Sequence, residues 1–286
     1  MTGPQLSSAP PPPPAAEGPR RRRWWFLGIV AGWIVVLAVL GTWSVWHSPA
    51  SVPEQRDIAE AVPELQQAAG VVYAAAGKGG QVVVLGKLEL IGDCRITPVR
   101  HGYMAARDLT VYVRQGEAET ALEGIADALP SAYRAGVAVT RGGTRVGIHA
   151  DAGNFIGIDS AADAVTKVVT LRLTSGCRPG PVERADKGDP AAGATPAEMT
   201  AVLHALGSEG TPEVRAVDCP GGGVAGSYTV DVPQPRNWQT LLRVAAGGAE
   251  IVRSDDGVWA YAKGSESVVV VSDGEKLRVS VNTGCQ

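Results

Sequence analysis

Phenylalanine occurs twice, methionine three times and histidine four times in this chain, and aromatic residues together make up 5% of it. Its hydrophobic content of 45% is supplied mostly by Ala and Val, which predicts small, tightly packed, β-rich cores. No Cys-x-x-Cys pair exists, and His47, His101, His149 and His204 are scattered, so metal-ligand spacing is absent. There is no Gly-x-Ser-x-Gly elbow; the nearest approach, Ala225-Gly226-Ser227, precedes a strand pattern and reads as a turn. Gly77-Lys78-Gly79-Gly80 lacks the Walker spacing and no Gly-Lys-Ser or Gly-Lys-Thr occurs, so this cluster and Gly221-Gly222-Gly223 read as loops. A twin-arginine export signal also misses by one position, because Arg22-Arg23 is followed by two tryptophans before Phe26-Leu27. From these absences we expect no enzyme activity, no catalytic residue, no cofactor and no metal.

What the chain does have is Arg20, Arg21, Arg22 and Arg23 followed at once by an uncharged run from Trp24 to Trp46. At about 1.5 Å of rise per residue, that run matches a bilayer core of roughly 30 Å. Trp24 and Trp25 stand at one end, Trp43 and Trp46 at the other, where amphipathic rings suit the headgroup level. The four arginines place the tail inside. The sequence therefore predicts a single-pass plasma-membrane protein with a cytoplasmic N-terminus and extracytoplasmic domains. A cleaved signal peptide is the competing reading, with Ser48-Pro49-Ala50 a poor cleavage site and the run longer than the usual apolar region of a signal. Residues 1–23, with Pro10 to Pro14 in a row, read as a disordered, Pro-rich tail favouring polyproline II.

Beyond the anchor about 240 residues remain, which is room for two domains. That part carries 22 basic and 28 acidic residues, a surface unsuited to nucleic acid. The richness in Ala, Gly, Val and Arg accords with a GC-rich bacterial genome. Its four cysteines, Cys94, Cys177, Cys219 and Cys285, read as two disulfides in an oxidising compartment.

The exterior can be laid out as two similar units, 52–177 and 195–286, joined by a Pro- and Gly-rich linker, 178–194. Each opens with a helix: Val52 to Ala69, with Ile58, Val62, Leu65 and Ala69 at helical spacing, and Thr195 to Leu206 behind Thr195-Pro196-Ala197-Glu198. Strands Val82 to Ile91 and Val214 to Val217 lead into Asp93-Cys94 and Asp218-Cys219, and a Gly-containing loop precedes the short strands Leu109 to Val113 and Tyr228 to Val232. A second helix follows in each, Ala118 to Leu129 and Asn237 to Ala246, then further strands and the endings Ser175-Gly176-Cys177 and Thr283-Gly284-Cys285. Four cysteines allow three pairings, and the repeat selects Cys94 with Cys177 and Cys219 with Cys285. Closing loops of that length is worth up to about 4.5 kcal/mol each. In Val168 to Leu173 apolar and polar residues alternate, the mark of antiparallel α+β layers with one buried and one wet face.

The remaining candidates read as structure. Asp151, Asp159, Asp163, Asp255 and Asp256 fit turn chemistry, and the stretch from Asp151 to Asn154 lacks the ligands of a calcium loop. His149 reads as a structural histidine, and Trp238 and Trp259 as core anchors. The expectation is a non-catalytic binding module at the cell envelope, with a protein or cell-wall partner and an open oligomeric state. The alternatives are an envelope hydrolase with an unrecognised carboxylate site and a structural subunit of a membrane complex.

Overall fold

The computed structural model describes residues 20–47, 56–185, 188–255 and 257–285, with side chains described for 24–44 of the first stretch. The chain divides into two compact units, Met1–Ser51 and Val52–Gln286.

In the first unit, α1 spans Arg20–His47. Its described side chains, Trp24 to Ser44, are all exposed, Trp24 at 76%, Trp25 at 71% and Trp43 at 61%. This stretch is long and apolar enough to cross a membrane, a property that anchors and signal sequences share. The Thr42 hydroxyl donates to the Ala38 and Val39 carbonyls at 2.9 Å, so its polarity is absorbed within the helix. The side chains of Arg20 to Arg23 and Trp46, and the proline-rich stretch 1–19, lie outside the described residues.

The second unit opens with α2, Ile58–Ala76, capped by the Asp57 carboxylate, which accepts from the Ala59 N–H at 2.9 Å. The expected stop at Ala69 is corrected: the apolar stripe continues through Val72, Tyr73 and Ala76, all buried, and Gly70 extends the helix instead of ending it. A Cβ at Gly70 would lie 2.0 Å from the Asp218 carbonyl oxygen, so glycine permits a close approach. Next come β1 (Val82–Thr97) and β2 (Arg100–Tyr112), then α3 (Ala118–Ala128), β3 (Gly136–Thr140), β4 (Arg145–Asp151), β5 (Gly157–Asp159), β6 (Ala162–Asp163) and β7 (Val168–Thr174). The predicted Gly-containing loop after Cys94 is replaced by a continuing hairpin. Register shifts between Leu85 and Leu88, Ile91 and Cys94, and Arg95 and Thr97 break the alternation that would have marked it as strand.

The rest of the chain forms α4 (Ala197–Ala205), β8 (Glu213–Asp218), β9 (Val224–Pro233), α5 (Trp238–Ala246), β10 (Glu250–Asp255), β11 (Val258–Lys263), β12 (Glu266–Ser272) and β13 (Lys276–Thr283). Ala225-Gly226-Ser227 lies inside β9, not in a turn. Two sheets result, ordered β1-β2-β7-β5-β4-β3, with β6 beside β4, and β10-β11-β12-β13-β9-β8. Every described strand pairing is antiparallel. In each sheet a hairpin, a helix and a meander follow one another, and the last strand returns beside the second strand of the hairpin. Disulfides join Cys94 to Cys177 and Cys219 to Cys285.

Each sheet buries one face under helices. Leu109, Val111, Val169 and Leu171 pack with Leu65, Val72 and Leu122, while Trp259, Val268, Val279 and Val281 pack with Met199, Trp238 and Leu242. The opposite faces meet through Val82 against Val252, Ala260 and Val269, flanked by Val84 and Tyr112. The boundary expected between two domains thus separates two sheets of one compact body.

Nor is 178–194 a loose linker. Arg178 and Ala185 are buried, and Asp189 reaches Arg107, whose side chain is fully buried. The guanidinium donates to both Asp189 carboxylate oxygens at 3.0 and 2.8 Å, to Gln66 Oε1 at 2.8 Å and to the Gly86 carbonyl at 3.0 Å. Asp189 also accepts the Ala216 N–H of β8 at 2.8 Å, so one carboxylate ties both sheets to this strap. Burial pushes the Arg107 guanidinium down and Asp189 opposes that.

Candidate functional site

Where the end of α2 enters β1, the chain passes over the open end of the second sheet. The Tyr73 hydroxyl donates to the Thr283 carbonyl at 3.0 Å, and the Leu85 N–H to Ser227 Oγ at 2.8 Å. Burial pushes the Tyr73 phenol well above its ordinary value, so it stays a neutral donor. Beside these contacts lies a cleft of about 500 Å³. One wall comes from Tyr73, Lys78, Gly80 and Gln81, the other from Glu250, Glu266, Ser267 and Asn282. The turn at Gly77–Gly79 and Gly80, which has φ of +73°, lets the backbone fold back from the helix to the strand. The glycine cluster is therefore a loop at the rim of this cleft.

Two residues that line the cleft each have a buried side-chain oxygen without a partner. Asn282 is 2% exposed; its Nδ2 donates to the Ser267 carbonyl at 3.4 Å, but its Oδ1 accepts nothing. The buried Gln81 Oε1 is likewise without a donor. Leaving a buried acceptor unmade costs about 1–3 kcal/mol. A third such atom, Trp259 Nε1, belongs to the apolar core, where the Arg243 guanidinium lies 5.7 Å from the ring centroid; nothing in the structure explains it. The cleft carboxylates are only partly used: Glu250 accepts from Arg114, and Glu266 Oε2 accepts the Glu198 N–H at 3.1 Å.

The residues singled out in the sequence are dispersed. His149 Nδ1 lies 2.6 Å from Asp159 Oδ1 across β4 and β5, and His101 Nδ1 lies 2.6 Å from Asp93 Oδ1, both pairs on the surface. Asp159 and Asp163 are strand residues with cross-strand partners, Asp163 facing Arg145, and so are not turn residues. Asp151 does make the expected turn, accepting the Gly153 N–H at 2.8 Å. Asp255 joins the sheets by accepting from Lys167 at 3.1 Å and Arg253 at 2.7 Å. Ser227 is buried on its strand and Trp238 and Trp259 are core residues. Among the described residues, no three His, Cys, Asp or Glu side chains gather as a metal would require.

Sequence reading missed Arg107, Asp189, Gln81 and Asn282. A signal existed for two of them: Arg107 interrupts an apolar strand, and Asn282 follows the buried run Val279 to Val281.

The structure defines an α+β protein with mostly antiparallel sheets, two disulfides and one apolar N-terminal helix. No family model matches the chain, and no curated protein matches it. Among solved structures the chain is similar to a crystal structure of a DUF4853 family protein from Actinomyces odontolyticus, at 20% identity and a TM-score of 0.33, over 60% of this chain and 91% of that one.

Proposed function

We propose that this chain is a single-pass bacterial envelope protein whose extracytoplasmic part is a non-catalytic binding module. The helix around Trp24 to Trp46 is its anchor, with Arg20 to Arg23 on the cytoplasmic side, and 52–177 and 195–286 are duplicated units that have fused into one body. The observation that carries the binding reading is the cleft of about 500 Å³ between the two sheets, walled by both halves. An oxidising exterior accords with both disulfides, and the common strand order of the sheets supports duplication.

The test combines two measurements on the native protein. Intact-mass determination of the membrane fraction should return the full chain; a mass beginning near Ala50 would make the apolar helix a signal peptide. Co-sedimentation with purified cell-wall and membrane fractions should retain the protein on one of them under conditions that leave a control protein in the supernatant. Absence of retention on either fraction sinks the envelope-partner reading.

A further inference from the structure

The end of a sheet is a row of unpaired N–H and C=O groups, which proteins blunt with charges, bulges or a covering segment. Four strands stand at sheet ends, β1 and β3 in the first sheet and β8 and β10 in the second. Three of them are blunted. β1 carries Lys87, Glu89, Asp93 and Arg95 and three register shifts, and Ser227 of β9 takes its Leu85 N–H. β8 carries Glu213, Arg215 and Asp218, and Asp189 of the strap takes its Ala216 N–H. β10 has a register shift after Ile251, and its Glu250 and Asp255 accept from Arg114 and Lys167 of the other half.

β3 has none of these devices. Its residues, Gly136-Val137-Ala138-Val139-Thr140, include no charge and no proline, and they pair with β4 from Gly136↔His149 to Thr140↔Arg145 without a shift. Among the described residues β3 pairs with no other strand, and all of it except Val137 is exposed. Val137 is half-buried against the helix-covered core, whereas Val139, on the same side of the strand, is 46% exposed.

We propose that β3 is a dimerisation edge, pairing antiparallel with β3 of a second copy of this chain about a two-fold axis at Ala138. This goes beyond the binding-module reading and is independent of the cleft. The register pairs all five residues: Gly136 comes opposite Thr140 of the copy, Val137 opposite Val139, and Ala138 opposite Ala138. Val139 thereby gains a valine as its cross-strand neighbour, and no charge in the strand opposes its copy. Arg134 and Arg141 lie just outside the five residues, and their like charge discourages a longer pairing. Because the two strands use the same edge on each other, the assembly closes at a dimer. A shared membrane would hold the copies in one plane and raise their effective concentration, which favours pairing through so short a strand.

The full chain in a polyoxyethylene detergent would be followed by sedimentation equilibrium from about 1 to 100 μM, beside Val139→Lys, which gives this edge a charge like those on the other three. A monomer–dimer equilibrium is expected, with the dissociation constant raised at least about tenfold in Val139→Lys. Val139 is exposed, so the melting temperature of that variant should match wild type. In cells producing the full chain, Ala138→Cys should form an intermolecular disulfide under mild oxidation, because residues facing each other at the axis lie within disulfide reach. Val165→Cys and Val244→Cys, at positions 77% and 78% exposed, should not. Should Val139→Lys fail to fold, the comparison of the three cysteines decides the matter. A chain that is monomeric throughout the range and forms no Ala138→Cys link overturns the proposal. A dimer that Val139→Lys leaves intact also overturns it, because the interface then lies elsewhere. Equal linking at all three cysteines, the sign of random collision, does the same, as do assemblies larger than a dimer that Val139→Lys does not dissolve.

Discussion

The two sheets reach the same strand order by different means. In the second, β10 to β13 form a near-continuous meander with one register shift, between Ile251 and Arg253, and otherwise full registers such as Val258↔Val271 to Lys263↔Glu266. In the first, the hairpin of β1 and β2 carries three register shifts and extends past β7, and the way from β4 to β7 passes through two short strands, β5 and β6. The hydrophobic face decides the strand order in both cases, because Leu109, Val111 and Leu171 must be covered by α2 and α3 just as Val268 and Val279 pack in the core with α4 and α5. Bulges and insertions are tolerated where strands leave that covered region. The first sheet holds more irregular chain and the same topology.

The largest test of this comparison is removal of one disulfide at a time. The bridges close separations of 83 and 66 residues, so chain entropy assigns both about 4.5 kcal/mol at most, with typical losses of about 2–5. Urea unfolding of Cys94→Ala/Cys177→Ala and Cys219→Ala/Cys285→Ala should show comparable losses and one shared transition each. Two separate transitions would make the sheets independent folding bodies.

Next in size is the strap. Asp189→Ala leaves the buried Arg107 charge uncompensated and should cost about 3 kcal/mol, whereas Arg107→Met combined with Asp189→Leu should lie much closer to wild type. A loss below about 0.5 kcal/mol for Asp189→Ala would mean that the strap is only a tether after all.

The apolar contact between the sheets comes third. Val269→Ala, facing the other sheet, should cost about 2 kcal/mol, close to Val279→Ala under the helices. A markedly smaller effect at Val269 would show the inter-sheet seam to be loose.

The smallest effect is the pH dependence of Asp255. Partial burial opposes ionisation, but hydrogen bonds from Arg253 and Lys167 outweigh it and hold the carboxyl below its ordinary value near 3.8. A depressed carboxylate stabilises the fold above its unfolded value, and the contribution fades as pH falls below 3.8 through the folded value. Asp255→Asn should therefore flatten the acid limb of the melting temperature against pH and leave the profile above pH 7 parallel to wild type. An unchanged acid limb would remove Asp255 from the seam.

Much of the second sheet was legible in the sequence, since β11 and β12 alternate or run apolar between Gly turns and α5 carries its apolar stripe openly. The first sheet was legible in β7 and α3 but not in the hairpin, because Gly92-Asp93 and Thr97-Pro98 resemble loop residues and a bulge hides the period. The strap was misread for a related reason. Its composition is that of a linker, and burial there depends on Arg107, which lies 82 residues away in the chain. The cleft was not legible at all, since Gln81 and Asn282 are ordinary polar residues until the sheets are brought together.

By itself the sequence determined what local periodicity and covalent chemistry can carry. That includes one long apolar helix, alternating strands and a cysteine pairing implied by repeated endings. Only the tertiary structure decided that both sheets form one body, that Asp189 answers a buried arginine, and that Gln81 and Asn282 share a cleft. Pairings of this kind rest on the dielectric and solvent exposure that packing creates, and neither exists for an isolated residue in an unfolded chain.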